Sequence, residues 1–180
     1  MAQNLPIPID DGAANHLFGK KLPSLSLATT AGYRLKLDSV RGFLVIYIYP
    51  MTGRPDQNAP EGWASIPGAK GCTAQSCSFR DHYQELETFS AKLYGLSTQA
   101  TDYQREAKAR LHLPFDLLSD EGLTLRDSLS LPTFTVEGVS LYKRLTIIAK
   151  DSKIVKVFYP VFPPENNIDE VLGWFRDQAR

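Results

Sequence analysis

Hydrophobic residues follow two rhythms along the chain. Residues 24–29 and 33–37 alternate in part, and the Ala31-Gly32 turn between them predicts a β-hairpin. Residues 42–49 (GFLVIYIY) are an unbroken apolar, β-branched and aromatic run, the mark of a strand buried on both faces. Pro50 stops it. Residues 51–71 hold Gly53, Pro55, Pro60, Gly62, Pro67, Gly68 and Gly71 and read as one long loop; such loops in compact domains tend to carry function. From Thr73 to about Leu93 the spacing of Phe79, Tyr83, Leu86, Phe89 and Leu93 predicts a helix. Short strands are expected at 94–98 and 115–118. An amphipathic helix is expected at 102–113, capped by Thr101 or Asp102, and a helical turn at 124–129. Residues 145–149 and 154–158 flank Lys150-Asp151-Ser152-Lys153, a strong hairpin signal. Residues 167–178 close the chain as an amphipathic helix with Ile168, Val171, Leu172 and Phe175 on one face.

Strands that alternate with helices argue for a layered α/β domain with a mixed sheet. A β-α-β unit, a second helix, a β-hairpin and a closing helix is the thioredoxin-like order. The expected fold is therefore a mixed central β-sheet flanked by helices, with an N-terminal β-hairpin. Residues 1–18, mixed polar and proline-containing, read as an arm, and 19–180 as the domain, with 51–71 as a loop inserted in it.

Composition narrows the function. At 180 residues and 43% hydrophobic the chain is long enough for one buried core. Lys plus Arg and Asp plus Glu are 20 each, so no net charge draws it to nucleic acid or anionic lipid. No apolar run approaches the roughly 20 residues that span a bilayer. The opening MAQNLPIPIDDGAANHL has neither the basic start nor the apolar stretch of a secretory signal. A cytoplasmic protein is the expectation, with no nucleic-acid or membrane partner. Two cysteines, Cys72 and Cys77, are too few for a disulfide-stapled secreted scaffold. With three histidines in the chain, a zinc site lacks ligands, and no metal or cofactor is expected.

The chemistry centres on residues 71–81, GCTAQSCSFRD. Cys72 follows a loop after a buried strand and opens a helix. Unpaired N–H groups and the helix dipole there stabilise a thiolate, the nucleophilic form of cysteine. Cys77 lies five positions on. In an intact helix the two Cα atoms are roughly 8 to 9 Å apart, whereas a disulfide needs about 4.4 to 6.8 Å. The two can bond only if the first helical turn unwinds. From spacing alone, a pair of small buried hydrophobes is as good a reading as a redox pair.

Residues 71–81 resemble the GCTxxxCxxRD motif of the peroxiredoxin Q, or bacterioferritin comigratory protein, type. Tyr47-Ile48-Tyr49-Pro50 resembles that family's strand ending in Phe-Tyr-Pro. Lys143-Arg144-Leu145-Thr146-Ile147-Ile148 resembles its R-x-[TS]-F-[LV]-I strand. The order of elements agrees from about Gly19 to the C-terminus. The resemblance implies a thiol-dependent peroxidase that reduces hydrogen peroxide or organic hydroperoxides, with a thioredoxin- or glutaredoxin-like reductant, as a monomer or weak homodimer. Cys72 would be the peroxidatic cysteine and Cys77 the resolving one, meeting through a sulfenic acid and an intramolecular disulfide. Arg144 would hold the thiolate and polarise the peroxide. Gln75 would orient Arg144, and Pro50 would shield the sulfur from water.

The chain departs from the family pattern in one place. The family has Pro, then Thr four positions on, then Cys three positions after that. Here residues 51–71 separate Pro50 from Cys72, and Ala69 stands three positions before the cysteine. Thr52 is the preferred source of the peroxide-contacting hydroxyl, with Ser65 as the alternative. Two other functions fit the cysteines less well. A general thiol–disulfide oxidoreductase usually has its cysteines as C-x-x-C, and a non-enzymatic thioredoxin-like module would use the inserted loop around Trp63 to bind a partner.

Overall fold

The protein is described by a computed structural model over residues 4–180; the first three residues of the expected arm lie outside the described residues. A seven-stranded sheet forms the centre, in the order β2 (Arg34–Lys36), β1 (Ser26–Thr29), β5 (Asp116–Ser119), β4 (Ala91–Ser97), β3 (Phe43–Ile48), β8 (Leu145–Lys150) and β9 (Lys153–Phe158). β1 (Ser26–Thr29) and β2 (Arg34–Lys36) are the expected N-terminal hairpin, paired antiparallel with Leu27 opposite Leu35. β3 (Phe43–Ile48), β4 (Ala91–Ser97) and β5 (Asp116–Ser119) are mutually parallel. β8 (Leu145–Lys150) and β9 (Lys153–Phe158) form the second hairpin, β8 antiparallel to β3. This is the mixed sheet and thioredoxin-like order that the pattern predicts.

The apolar run of β3 is explained by its place in the middle of that sheet. Leu44, Ile46 and Ile48 point to one core, shared with Leu17, Leu22, Leu27 and the short helix α4 (Thr124–Leu129). Val45, Tyr47 and Tyr49 point to the other, against α1 (Cys72–Asp81), α2 (Tyr83–Thr88) and α5 (Asn167–Gln178). Successive strand residues face opposite sides, so a strand covered on both needs apolar residues throughout. α3 (Thr101–Arg110) covers β5, and its Gln104 Nε2 donates to Leu118 O at 2.8 Å. Gly95 of β4 has a packing reason: a Cβ there would fall 2.6 Å from the Tyr47 ring.

One expectation is corrected, and one element is new. The helix predicted to about Leu93 breaks at His82 and ends at Thr88; Ser90 is left-handed, and Leu93 belongs to β4. Leu93 fits helical spacing after Phe89, but its neighbours alternate between buried and open as a strand requires. A second, two-stranded sheet, β6 (Thr133–Val136) with β7 (Val139–Tyr142), lies where the sequence pattern predicts no element. Among the described residues no helix is long and apolar enough to cross a membrane.

Candidate active site

β3 ends at Ile48, and the buried Tyr49 and Pro50 follow. The chain then runs through a long loop, with a 3-10 turn at Trp63–Ser65, and re-enters the core at α1. Gly71 precedes Cys72 with φ 109°, and a Cβ on it would meet Pro164 Cγ at 2.8 Å. A residue with a side chain would be strained in backbone and in packing alike. Pro164 thus packs the segment before α5 directly onto the start of α1.

Cys72 is buried at the first position of α1. Arg144, just before β8, reaches it from the opposite side: Nη2 donates to Cys72 Sγ at 3.2 Å. Arg144 is itself only 4% exposed, so it is no surface cation. The same nitrogen bonds the carbonyls of Gly68 at 3.2 Å and Ala69 at 3.1 Å, and Nη1 donates to Gln75 Oε1 at 2.5 Å. Among the described residues no carboxylate pairs with this guanidinium. A buried cation needs a negative partner, and the sulfur is the group in contact that can become one.

The positions of both partners are fixed by residues that sequence reasoning missed. Gln75 Nε2 donates to Asn167 Oδ1 at 3.1 Å, and Thr146 Oγ1 donates to the same oxygen at 2.6 Å. Asn167 Nδ2 in turn donates to Glu170 at 3.2 Å. Asn167 is fully buried in the first turn of α5, where a polar residue on an otherwise apolar face was the one available signal. Tyr49 lies in the same region. It is fully buried in the same cluster as Cys72, and its hydroxyl lacks a well-formed hydrogen bond. Burial, and then the nearby Cys72 charge, push that hydroxyl up from its ordinary range, while Ser97 and Arg144 pull the other way.

The structure therefore brings Cys72, Arg144 and Gln75 together. It turns Thr52 elsewhere. Thr52 is buried, but its backbone N–H and hydroxyl both donate to Gln99 Oε1, at 3.0 and 3.3 Å, and its carbonyl accepts from Gln99 and Tyr103. Ser65 is exposed in the loop. The atom nearest the family hydroxyl's place in the chain is the Ala69 carbonyl, which accepts from Arg144 and lies 3.6 Å from the Cys72 sulfur. Cys77 is half-buried on the same helix, and both cysteines are free thiols. The long loop after β3 lies against the β6–β7 hairpin, with the Trp63 and Phe134 rings 6.1 Å apart.

The chain is similar to several known proteins. A peroxiredoxin Q of Populus jackii, a chloroplastic protein, is 29% identical over 175 residues, which cover 94% of this chain and 75% of that one. The peroxidoxin BcpB of Mycobacterium tuberculosis has a similar structure, with TM-score 0.72, 23% identity and coverage of 89% and 96%. So does the bacterioferritin comigratory protein of Xanthomonas campestris, described for its alkyl peroxide reduction, with TM-score 0.70, 22% identity and coverage of 98% and 99%. The Redoxin pattern matches residues 18–172. The chain belongs to the Redoxin family, and the relatives it resembles are peroxiredoxins of the Q type.

Proposed function

We propose that the chain is a thiol-dependent peroxidase whose nucleophile is Cys72. Its thiolate attacks the terminal oxygen of a hydroperoxide. A sulfur–oxygen bond forms as the O–O bond breaks, and the departing oxygen takes a proton and leaves as water or an alcohol. The sulfur is oxidised to sulfenic acid and the peroxide reduced by two electrons. The observation that carries this reading is the buried Arg144 guanidinium 3.2 Å from the Cys72 sulfur, with no carboxylate partner among the described residues. It stabilises the thiolate before attack and the negative oxygen that leaves.

Cys77 then attacks the sulfenic acid; the S–S bond forms and water departs. A thioredoxin-type dithiol reduces the disulfide by exchange and is itself oxidised. Gln75 keeps Arg144 aimed, and Pro50 closes the strand end over the sulfur. In this reading residues 19–180 are the catalytic domain, residues 51–71 are an insertion within it, and Ala69 O helps to hold Arg144. Two cysteines are too few for a disulfide-stapled secreted scaffold, and the compartment in our reading is the cytoplasm.

The test is mass spectrometry after one equivalent of hydrogen peroxide. A loss of two hydrogens on the peptides holding Cys72 and Cys77 is expected. Cys72→Ser should slow peroxide consumption by roughly a thousandfold or more. A Cys72→Ser protein as fast as the wild type would remove the reading altogether.

A further inference from the structure

Arg144 is aimed at Cys72 from two sides. Gln75 holds Nη1 at 2.5 Å, and the end of the long loop holds Nη2 through the carbonyls of Gly68 at 3.2 Å, Ala69 at 3.1 Å and Lys70 at 3.4 Å. The first support is a buried side chain tied to Asn167. The second is a turn. Ala69 N–H donates to Ile66 O at 3.1 Å across Pro67-Gly68, and Gly68 has φ 76°, the Pro-Gly pattern of a type II turn. Left-handed glycines stand at 68 and 71, so the carbonyls between them can swing unless something outside the loop backs the turn.

The backing comes from the start of the chain. Pro8 Cβ and Cγ lie 3.4 and 3.5 Å from where a Cβ on Gly68 would stand, so Gly68 is bare on the side that Pro8 covers. Leu5 and Pro6 line a narrow crevice with Ala64, Ile66 and Phe162. The segment that makes these contacts reads Leu5-Pro6-Ile7-Pro8-Ile9. Each proline fixes its own φ and restricts the residue before it, so four consecutive residues are stiff. The chain is pinned just beyond them. Lys143 Nζ pairs with Asp11 Oδ2 at 2.7 Å, the Tyr159 hydroxyl donates to Asp11 Oδ1 at 2.8 Å, and Ala14 and Leu17 are buried in the core. Ile7 is 68% exposed and Ile9 85%, so the segment is not laid down as core. A stiff strut, pinned beyond one end and pressing its prolines on a turn, is built to hold that turn.

We infer that residues 5–9, with Pro8 as the contact, are a positioning element for Arg144: they brace the 66–69 turn, whose carbonyls hold the guanidinium against the Cys72 sulfur. The kinetic consequence rests on the reading of Cys72 as the peroxidatic sulfur. Pro8 acts through the turn, not on the peroxide itself.

Two measurements test this. Stopped-flow oxidation of the reduced protein by hydrogen peroxide reads the effect on rate. The thiolate absorbance of Cys72 at neutral pH, taken as the difference between each variant and its Cys72→Ser form, reads the hold on the sulfur with no peroxide present. A chain begun at Asp10 after the initiator methionine should be oxidised roughly tenfold more slowly, the scale of a small misplacement at a reacting centre, and should lose thiolate absorbance. Pro8→Gly, which removes contact and stiffness but leaves the chain whole, should cost about threefold. Pro8→Ala, which keeps the Cβ, should recover part of that loss. Phe18→Ser, at an exposed residue further along the same segment, should leave both readings alone. In an Arg144→Leu background, shortening the chain should slow oxidation no further. Rate and absorbance unchanged in both the shortened and the Pro8→Gly proteins, or an equal slowing with Arg144 present and absent, overturns the inference. A protein inert to peroxide whose thiolate absorbance still falls when the strut is removed overturns the peroxidase reading and leaves the strut standing.

Discussion

Cys72 and Cys77 share one ten-residue helix but not one environment. Cys72 is sealed at the helix start, bonded to a buried guanidinium and backed by Gly71 and Pro164. Cys77 is half-buried at the edge of the same core. The first arrangement fixes a nucleophile; the second leaves a sulfur room to travel. Both are needed, because an intact helix holds the two Cα atoms roughly 8 to 9 Å apart, too far for a disulfide. A helix of ten residues is marginal on its own, and α1 already breaks at His82. On the mechanism proposed for this chain, the fold anchors the sulfur that reacts first and places the second on a segment that can unwind.

The largest blow to that contrast is the loss of Arg144. Arg144→Leu should lower the rate constant for peroxide oxidation about a hundredfold or more, the scale seen when a donor to a developing oxyanion is removed. Arg144→Lys should recover only part, because one ammonium cannot bond Gln75, the loop carbonyls and the sulfur as the planar fork does. Stopped-flow tryptophan fluorescence at several peroxide concentrations reads both. An Arg144→Leu protein at wild-type rate would mean the buried cation serves the loop carbonyls and not the sulfur.

Asn167 is expected to matter less and through Arg144. Asn167→Ala leaves Thr146 Oγ1 and Gln75 Nε2 without their acceptor in the interior, which costs about 1–3 kcal/mol of stability in urea unfolding. Oxidation should slow by about threefold to tenfold as Gln75 loosens its hold on the guanidinium. The double variant Arg144→Leu/Asn167→Ala should be no slower than Arg144→Leu alone. Additive losses would show that Asn167 acts on folding or on Cys72 by another route.

How much of this could be read beforehand depends on which forces are local. β3 was legible because its burial on both faces leaves no polar position, and α5 because four apolar residues mark one face at helical spacing. Leu93 misled because a residue four after Phe89 fits a helix as well as it fits alternate places in a strand. The left-handed turn at Ser90 that decides the matter carries no glycine to announce it. The β6–β7 hairpin was missed because its strands are half-exposed and its turn is Glu137-Gly138, not Asn-Gly. At the site, Cys72, Arg144 and Gln75 were legible from a motif. Asn167 was not, since its role exists only once α5 packs on α1. Thr52 illustrates the converse: proximity to Pro50 in sequence said nothing of Gln99 and Tyr103, which hold it in another network.

The finest probe of the contrast is Tyr47, which lies beneath both cysteines. Its ring stacks on Phe79 with centroids 4.5 Å apart, and its hydroxyl bonds Ser76 Oγ at 3.0 Å, between the two sulfurs in sequence. Complete burial first, and then the charges of Tyr49, Cys72 and Cys77, hold its hydroxyl well above its ordinary range. The sign follows directly. In the unfolded chain the group ionises near pH ~10 and in the folded chain only far above it, so its contribution to stability is intact below ~10 and lost as pH rises beyond. The loss should run at about 1.4 kcal/mol per pH unit for each such tyrosine. Tyr47→Phe should make the alkaline fall in urea-measured stability shallower by one tyrosine. At neutral pH the same variant strands Ser76 Oγ, lowers stability by about 1 kcal/mol, and removes a bond that unwinding must break. Closure of the Cys72–Cys77 disulfide, followed by quenched mass spectrometry after the sulfenic acid has formed, should then quicken by up to about fivefold, that energy expressed as a rate. Unchanged closure in a measurably destabilised protein would mean that α1 unwinds from its Cys77 side, past Phe79, with the Tyr47–Ser76 bond still in place.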